Sequence, residues 1–359
     1  MSKSILVRTA SSSYEVLIDK SLLKSYNFQW LIENKQILIV KDSKVPKKFL
    51  DVLKKNLAQY DPKSLISFEI ETSEENKSIE GIQPIYEVLN QNKFNRDCVI
   101  ISLGGGITTD MTGFVASTYL RGVDLIQVPS TLLSQVDAAI GGKTGINFQG
   151  AKNNIGAFYQ PNLVLIDIDL LSSLGKSEIS EGLAEIIKHS LIADKSLFEE
   201  LEHKITNGSI TDDNDLINII YDSSLIKSSI VSSDEREKGD RALLNFGHTF
   251  GHAIEMYGNF EEFSHGEAVA LGMLMAINLS MSASGLNTED AKRVQELIKQ
   301  VLSEKLLAKK FDSKALYEMM SSDKKKTGDV LNFVTIKDIG EAQIKNDLNL
   351  DTILSSIEL

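Results

Sequence analysis

The stretch CVIISLGGGITTD, residues 98–110, decides the reading of the first half of this 359-residue chain. Six apolar or small residues in a row form a buried strand, three glycines make the turn, and ITTD opens a helix. Glycines at that place permit φ > 0 and let backbone N–H groups approach a phosphate at a helix N-terminus. The pattern favours nucleotide binding over a mere tight turn, although it lacks the G-x-G-x-x-G spacing, because Thr109 stands where the last glycine would be.

On both sides the same rhythm continues. The runs QILIV (36–40), LISFEI (65–70), CVIISL (98–103), VDLIQV (123–128) and NLVLIDI (162–168) alternate with helical patterns at 46–60 and 76–94. That alternation predicts a mostly parallel sheet. From about residue 177 the apolar spacing becomes helical, as in SEISEGLAEIIKHSLIADKSLFEELEH and GEAVALGMLMAINLSMSASG. Two domains follow: an α/β Rossmann-like N-terminal domain (1–172) and an all-α C-terminal domain (173–359), joined where DLLSSLGKS supplies turn residues, with the active site expected in the cleft between them.

A chain with 42% hydrophobic and 25% charged residues is globular in composition, and its length exceeds one ordinary core. Its net charge of −12 excludes a nucleic-acid surface, which needs a basic stripe. Cys98 is the single cysteine, so no intrachain disulfide forms; it reads as a buried structural thiol. No apolar run approaches the roughly 20 residues that cross a bilayer, and the first residues lack a signal-peptide core. The expectation is a cytoplasmic protein without membrane contact.

Two further stretches carry chemistry. PSTLLSQVDAAIGGKTGINFQGAKNNIGAF (129–158) reads as a polar loop with five glycines, whose Lys143, Lys152 and Asn153 form a basic focus for an acidic substrate. In LLNFGHTFGHAIE (243–255), His248 and His252 lie one helical turn apart, and His265 follows Ser264 at the start of the next helix. In GLAEIIKH (182–189), Glu185 and Lys188 are likewise one turn apart. One carboxylate and two imidazoles with an open fourth position make the donor set of catalytic zinc; spacing alone leaves open which two histidines bind. The run DKKKTGD (323–329) reads as a solvated loop.

These residues together resemble the 3-dehydroquinate synthase family. The blocks GGGITTDMTGFVASTYLRG, VPSTLLSQVDAAIGGKTGINFQGAKNNIGAFYQP, GLAEIIKH, DEREKGDRALLNFGHTFGHAIE and HGEAVALGM stand in that family's order over about residues 100–270. The resemblance implies metal ligands Glu185, His248 and His265, with His252 on the substrate. It places Asp137, Lys143, Asn153, Lys188, Lys227, Arg241 and Asn245 around the substrate, Lys152 near the same loop, and Arg121 on the phosphate across a homodimer interface. For NAD it implies Asp42, Glu74, Lys77, Gly105, Gly106, Asp110, Ser130 and Thr131, together with Lys143 and Lys152. Ser130 departs from the family's usual Thr but keeps a hydroxyl, and Thr109 stands at a common Gly. The implied reaction turns a phosphorylated sugar acid, 3-deoxy-D-arabino-heptulosonate 7-phosphate, into 3-dehydroquinate and phosphate, by transient oxidation, phosphate elimination, reduction and aldol closure, with NAD and Zn2+ (or Co2+). Another sugar phosphate cyclase or a metal-dependent polyol dehydrogenase would use related parts.

Overall fold

Strand β5 (Val99–Gly104), the stretch that ends in the glycine turn, lies inside a seven-stranded sheet of the computed structural model, which describes residues 2–206, 208, 212–327 and 331–358. The other strands are β1 (Lys3–Arg8), β2 (Ser13–Asp19), β3 (Gln36–Asp42), β4 (Ser64–Ile70), β6 (Asp124–Pro129) and β9 (Leu163–Asp167), in the spatial order β1-β2-β9-β6-β5-β3-β4. All neighbours pair in parallel except β1 with β2. The two N-terminal strands have no counterpart in the sequence reading. Each buries only alternate residues, so neither shows the continuous apolar run of a strand covered on both faces.

The central strands sort their side chains by parity. Ile37, Ile39, Val99, Ile101 and Leu103 join the core on one face with Phe49, Leu53 and Leu57 of α3 (Lys47–Leu57). On that face also pack two one-turn helices, α1 (Leu22–Ser25) and α2 (Gln29–Ile32). Leu38, Val40, Cys98 and Ile100 join the opposite core with α4 (Ile79–Gln91) and α5 (Gly106–Thr118). Cys98 is buried, as expected, and burial pushes its thiol up to about 11.

In sequence order β4 lies on one side of β3, while β5, β6 and β9 follow on the other. The switch point therefore falls between β3 and β5, and ligands of doubly wound sheets bind outside the carboxyl ends of the strands at that point. Asp42 ends β3 and Gly104 ends β5.

The polar stretch 129–158 is built rather than loose. It forms a π-helical turn (Ser134–Ala138) and an antiparallel hairpin of β7 (Lys143–Phe148) and β8 (Ala151–Phe158), which together take the place of a crossover helix between β6 and β9. The expected loop is corrected accordingly: Gly145 and Gly156 face each other across the hairpin, where a Cβ on Gly145 would fall 2.8 Å from the Ile155 carbonyl oxygen.

The chain forms two compact units: Met1–Ile179 with Leu216–Glu235, and Ser180–Asp215 with Arg236–Leu359. Sequence reading expects one join at 172/173, whereas most of α8 (Asp213–Ser233) belongs with the first unit. Local bonds give the reason. Lys227 Nζ donates to Asp137 Oδ1 at 2.5 Å, and just beyond the helix Glu235 accepts from the Ser11 amide at 3.1 Å and from Gln160 Nε2 at 2.9 Å.

The second unit carries α6 (Lys176–Ala193) from Ser180 onward, α7 (Lys195–Thr206), α9 (His248–Tyr257), α10 (His265–Ser284), α11 (Thr288–Lys299), α12 (Glu304–Leu307), α13 (Ser313–Thr327) and α14 (Leu350–Ser356). The expected helical character holds, with one addition: an antiparallel hairpin of β10 (Phe333–Asp338) and β11 (Glu341–Lys345). Two expectations change. Residues 323–327, read as loop, continue α13, and 328 and 329 lie outside the described residues. Helix α10, 20 residues, is by length and composition long and apolar enough to cross a bilayer, contrary to the sequence reading. It is apolar all round because it is the mostly buried core helix of its unit.

Candidate metal centre and nucleotide crevice

Three helices of the second unit meet at their ends because glycines remove the side chains that would hold them apart. A Cβ on Gly266 would lie 2.6 Å from Glu181 Cα, so the start of α10 touches the backbone of α6. Where α9 crosses α10, a Cβ on Gly251 would lie 3.1 Å from the Ala268 carbonyl oxygen, and one on Gly272 would lie 2.7 Å from the Gly251 nitrogen. Gly247 caps α9 at φ 78°, a left-handed conformation that costs other residues about 1 kcal/mol, and it sits one residue before His248. Ser264 caps α10 in a capping box with Glu267 and fixes the start of the helix at His265, as the sequence predicts.

The close approach gathers Glu185, His248 and His265, whose ligand atoms all lie within 4.8 Å of one another. Glu185 is fully buried; the Lys188 ammonium contacts it as an ion pair, yet neither carboxylate oxygen has a hydrogen-bond partner. His248 Nε2 is 3.7 Å and His265 Nε2 4.0 Å from Glu185 Oε1. Behind the first ring, His248 Nδ1 lies 3.2 Å from the Phe246 carbonyl oxygen, an arrangement that protonates Nδ1 and leaves the Nε2 lone pair facing Glu185. Burial, reinforced by Lys188, His265 and His252, holds the His248 pKa well below the ordinary imidazole value, so the ring is neutral at neutral pH.

His252 shares the face of α9, its ring centroid 5.6 Å from that of His248, but it is exposed. In the same unit Arg241 is buried in a 3-10 turn (Asp240–Asn245), and Asn245 Nδ2 donates to Glu237 Oε1 at 3.0 Å. Sequence reading missed Glu237 as that amide's partner. It also missed Glu255, whose Oε1 is 3.6 Å from His265 Nδ1. The only signal for Glu255 is its place seven residues after His248, two turns along one helical face.

In the first unit the glycine turn does not use the positive φ that the sequence reading allowed for. Among Gly104, Gly105 and Gly106 none has positive φ. Gly104 is needed for space, since a Cβ there would fall 2.6 Å from Thr108 Cβ; on Gly105 it would be only slightly tight, 3.3 Å from Thr131 Cγ2, and on Gly106 it would make ordinary contact, 3.4 Å from Ala138 Cβ. Thr109 is an ordinary helical residue whose Oγ1 donates to the Gly106 carbonyl at 2.8 Å, so its departure from glycine leaves the turn intact.

Thr108 Oγ1 lies 3.5 Å from Asp42 Oδ2, bringing the ends of β3 and β5 together at the switch point. The Ser130 amide donates to the Gly104 carbonyl, and Thr131 and Ser134 bond each other's amides at 3.1 Å. Lys77 joins three segments, donating at 2.5 Å to both Asp110 Oδ2 and Asn153 Oδ1. Burial pushes the Asp110 carboxyl up, with Lys77 opposing. Asn147, which the sequence did not single out, donates to Glu74 Oε2 at 2.9 Å and accepts from the Asn153 amide. Lys143 and Lys152 are exposed on the hairpin, and exposed Arg121 stands in a left-handed turn at φ 68°.

Comparison with known proteins returns two family models, described as 3-dehydroquinate synthase N-terminal over residues 67–181 and 3-dehydroquinate synthase C-terminal over 182–326. The chain is 39% identical over 346 residues to the 3-dehydroquinate synthase of Hydrogenovibrio crunogenus, covering 96% of both proteins. Among solved structures it is similar to 2-epi-5-epi-valiolone synthase of Streptomyces hygroscopicus subsp. jinggangensis, with NAD+ and Zn2+ bound (TM-score 0.85, 24% identity, 96% of each chain). It is also similar to 2-deoxy-scyllo-inosose synthase complexed with carbaglucose-6-phosphate, NAD+ and Co2+ (TM-score 0.88, 23% identity, 99% of each chain).

Proposed function

The chain belongs to the 3-dehydroquinate synthase family, and from that premise we infer that it converts 3-deoxy-D-arabino-heptulosonate 7-phosphate into 3-dehydroquinate and inorganic phosphate. The observation that carries the reading is Glu185, a buried carboxylate without hydrogen bonds, faced by the Nε2 atoms of two histidines. Lys188 pairs with one oxygen of this carboxylate, the other oxygen faces both imidazole Nε2 atoms, and that donor set fits a catalytic divalent metal with an open coordination position. Zn2+ or Co2+ suits it, and the related cyclases hold those ions. NAD suits the first unit. The free backbone N–H groups at the N-terminus of α5 suit a pyrophosphate, and Asp42 ends the adjacent strand, in the place of a ribose-binding carboxylate.

Bound NAD would supply a reversible hydride sink, and the metal Lewis-acid polarisation of substrate oxygens. The rest falls to the chain's own side chains. Arg241 and Asn245 hold the substrate carboxylate, the guanidinium by bidentate pairing. His252, exposed beside the metal ligands, handles a proton of a substrate hydroxyl. Lys188, Lys227, Lys143 and Lys152 supply positive charge for the sugar acid and its phosphate in a protein of net charge −12. Asp137 anchors the Lys227 ammonium, while Asn153 is held in place by Lys77. Glu74, Lys77, Asp110, Ser130 and Thr131 line the nucleotide side. Arg121 reaches the phosphate from a second copy of the chain in a cytoplasmic homodimer. Residues 1–172 serve the nucleotide and 173–359 carry the metal.

The test is phosphate release from the heptulosonate phosphate, with and without a chelator, in the presence of catalytic NAD+. Chelator-sensitive release without net NADH is expected. Stoichiometric accumulation of NADH would point to a polyol dehydrogenase, and turnover of a sugar phosphate lacking the carboxylate to another cyclase.

A further inference from the structure

We propose that Glu255 is the positioning residue of the metal centre, an outer carboxylate that fixes the tautomer and orientation of His265. The inference rests on reading Glu185, His248 and His265 as metal ligands.

Both histidines present Nε2 to the same oxygen of Glu185, and each has an acceptor behind it. For His248 the acceptor is the Phe246 carbonyl, 3.2 Å from Nδ1; for His265 it is Glu255 Oε1, 3.6 Å from Nδ1. An acceptor behind Nδ1 keeps the proton there and the lone pair on Nε2, the form a metal binds. Main chain does this for one ring and a carboxylate for the other.

The difference follows from where the rings sit. His265 is the first residue of α10 and its side chain is 38% exposed, against 12% for His248. Both rings begin their helices, but behind His248 stands the main chain just before α9, whereas behind the more exposed His265 stands a side chain of α9. Glu255 stands two turns after His248 with its side chain 7% exposed. That place puts the carboxylate within electrostatic reach of an imidazole that would carry positive charge once bound to a divalent cation. At 3.6 Å the contact is electrostatic and slightly longer than a hydrogen bond, so the proposal has it close when His265 is loaded.

Zn2+ competition against a chromophoric chelator, and the visible spectrum of the Co2+ form, test this on the full chain with Glu255→Gln and Glu255→Ala. Outer-shell losses are about 10–100-fold in metal affinity, expected in full for Glu255→Ala and in smaller part for Glu255→Gln, whose amide oxygen still accepts. The Co2+ spectrum should change in both, with far-ultraviolet dichroism intact. If Glu255→Ala fails to fold, Glu255→Gln decides. Folded variants that bind Zn2+ as tightly as the parent with an unchanged Co2+ spectrum overturn the proposal, and so does a fall in melting temperature alone. Parent protein that binds no Zn2+, or Glu185→Gln that binds it as tightly as the parent, overturns the ligand assignment instead.

Discussion

Gly272→Ala should damage the metal centre although residue 272 is no ligand. The added methyl would enter the crossing of α9 and α10, directed at the Gly247 carbonyl oxygen and 2.7 Å from the Gly251 nitrogen. Both obstacles are main chain, so no rotamer change relieves them. Bringing the Gly251 contact alone to an ordinary 3.4 Å requires the helices to part by about 0.7 Å, and the Gly247 contact requires more. Overpacking of this kind costs about 1–3 kcal/mol, which lowers the melting temperature by roughly 2–4 °C per kcal/mol in a unit of this size. The metal centre is less tolerant. His248 follows Gly247 on one helix and His265 begins the other, while metal–ligand distances hold to about 0.2 Å. Zinc affinity should therefore fall by about 10-fold or more. Chelator competition and thermal melts with and without zinc measure both effects. Gly175→Ala, whose Cβ would meet nothing nearer than Glu178 Oε2 at 3.6 Å, is the control and should stay within about 0.5 kcal/mol. A Gly272→Ala protein with the parent's melting temperature and zinc affinity would refute the reasoning.

Three other outcomes are expected. His248→Ala and Glu185→Gln should be zinc-depleted and inactive, whereas exposed His252→Ala should keep near-stoichiometric zinc and lose about 10²–10⁴ in turnover; metal analysis of the purified variants decides, and the reverse pattern would redraw the site. Lys77→Met removes the group joining Asp110 to Asn153 and should weaken NAD+ binding with zinc content unchanged, as read by equilibrium titration of the two ligands. Asp167, buried and accepting the Ser21 and Leu23 amides, has its carboxyl pushed up by burial. The folded protein then holds that proton at pH values where the unfolded chain has lost it, so this group's contribution to stability falls as pH rises from about 4 through its folded pKa. Urea melts at pH 4 and pH 7 should show Asp167→Asn gaining relative to the parent at the higher pH; an unchanged difference would contradict the assigned cause.

The central parallel strands and most helices were legible in the sequence because strand and helix periods are local properties. So was the start of α10, since Ser264 and Glu267 form a capping box within four residues. The donor set could be named from Glu185, His248, His252 and His265, but spacing along one helix treats His248 and His252 alike. Only the packing of α6 and α9 against α10 separates them, leaving one beside a buried carboxylate and the other exposed. The glycine turn shows the same limit from the other side: its position was legible but the positive φ expected there is absent, because whether a glycine serves φ or space depends on what stands across from it. Strands β1 and β2, the β7–β8 hairpin, Glu237, Asn147 and Glu255 likewise take their roles from partners distant in sequence. The chain's sequence determined the elements and the stock of reactive groups. Tertiary structure decided which of those groups meet, since distance, burial and charge balance exist only once the helices have crossed.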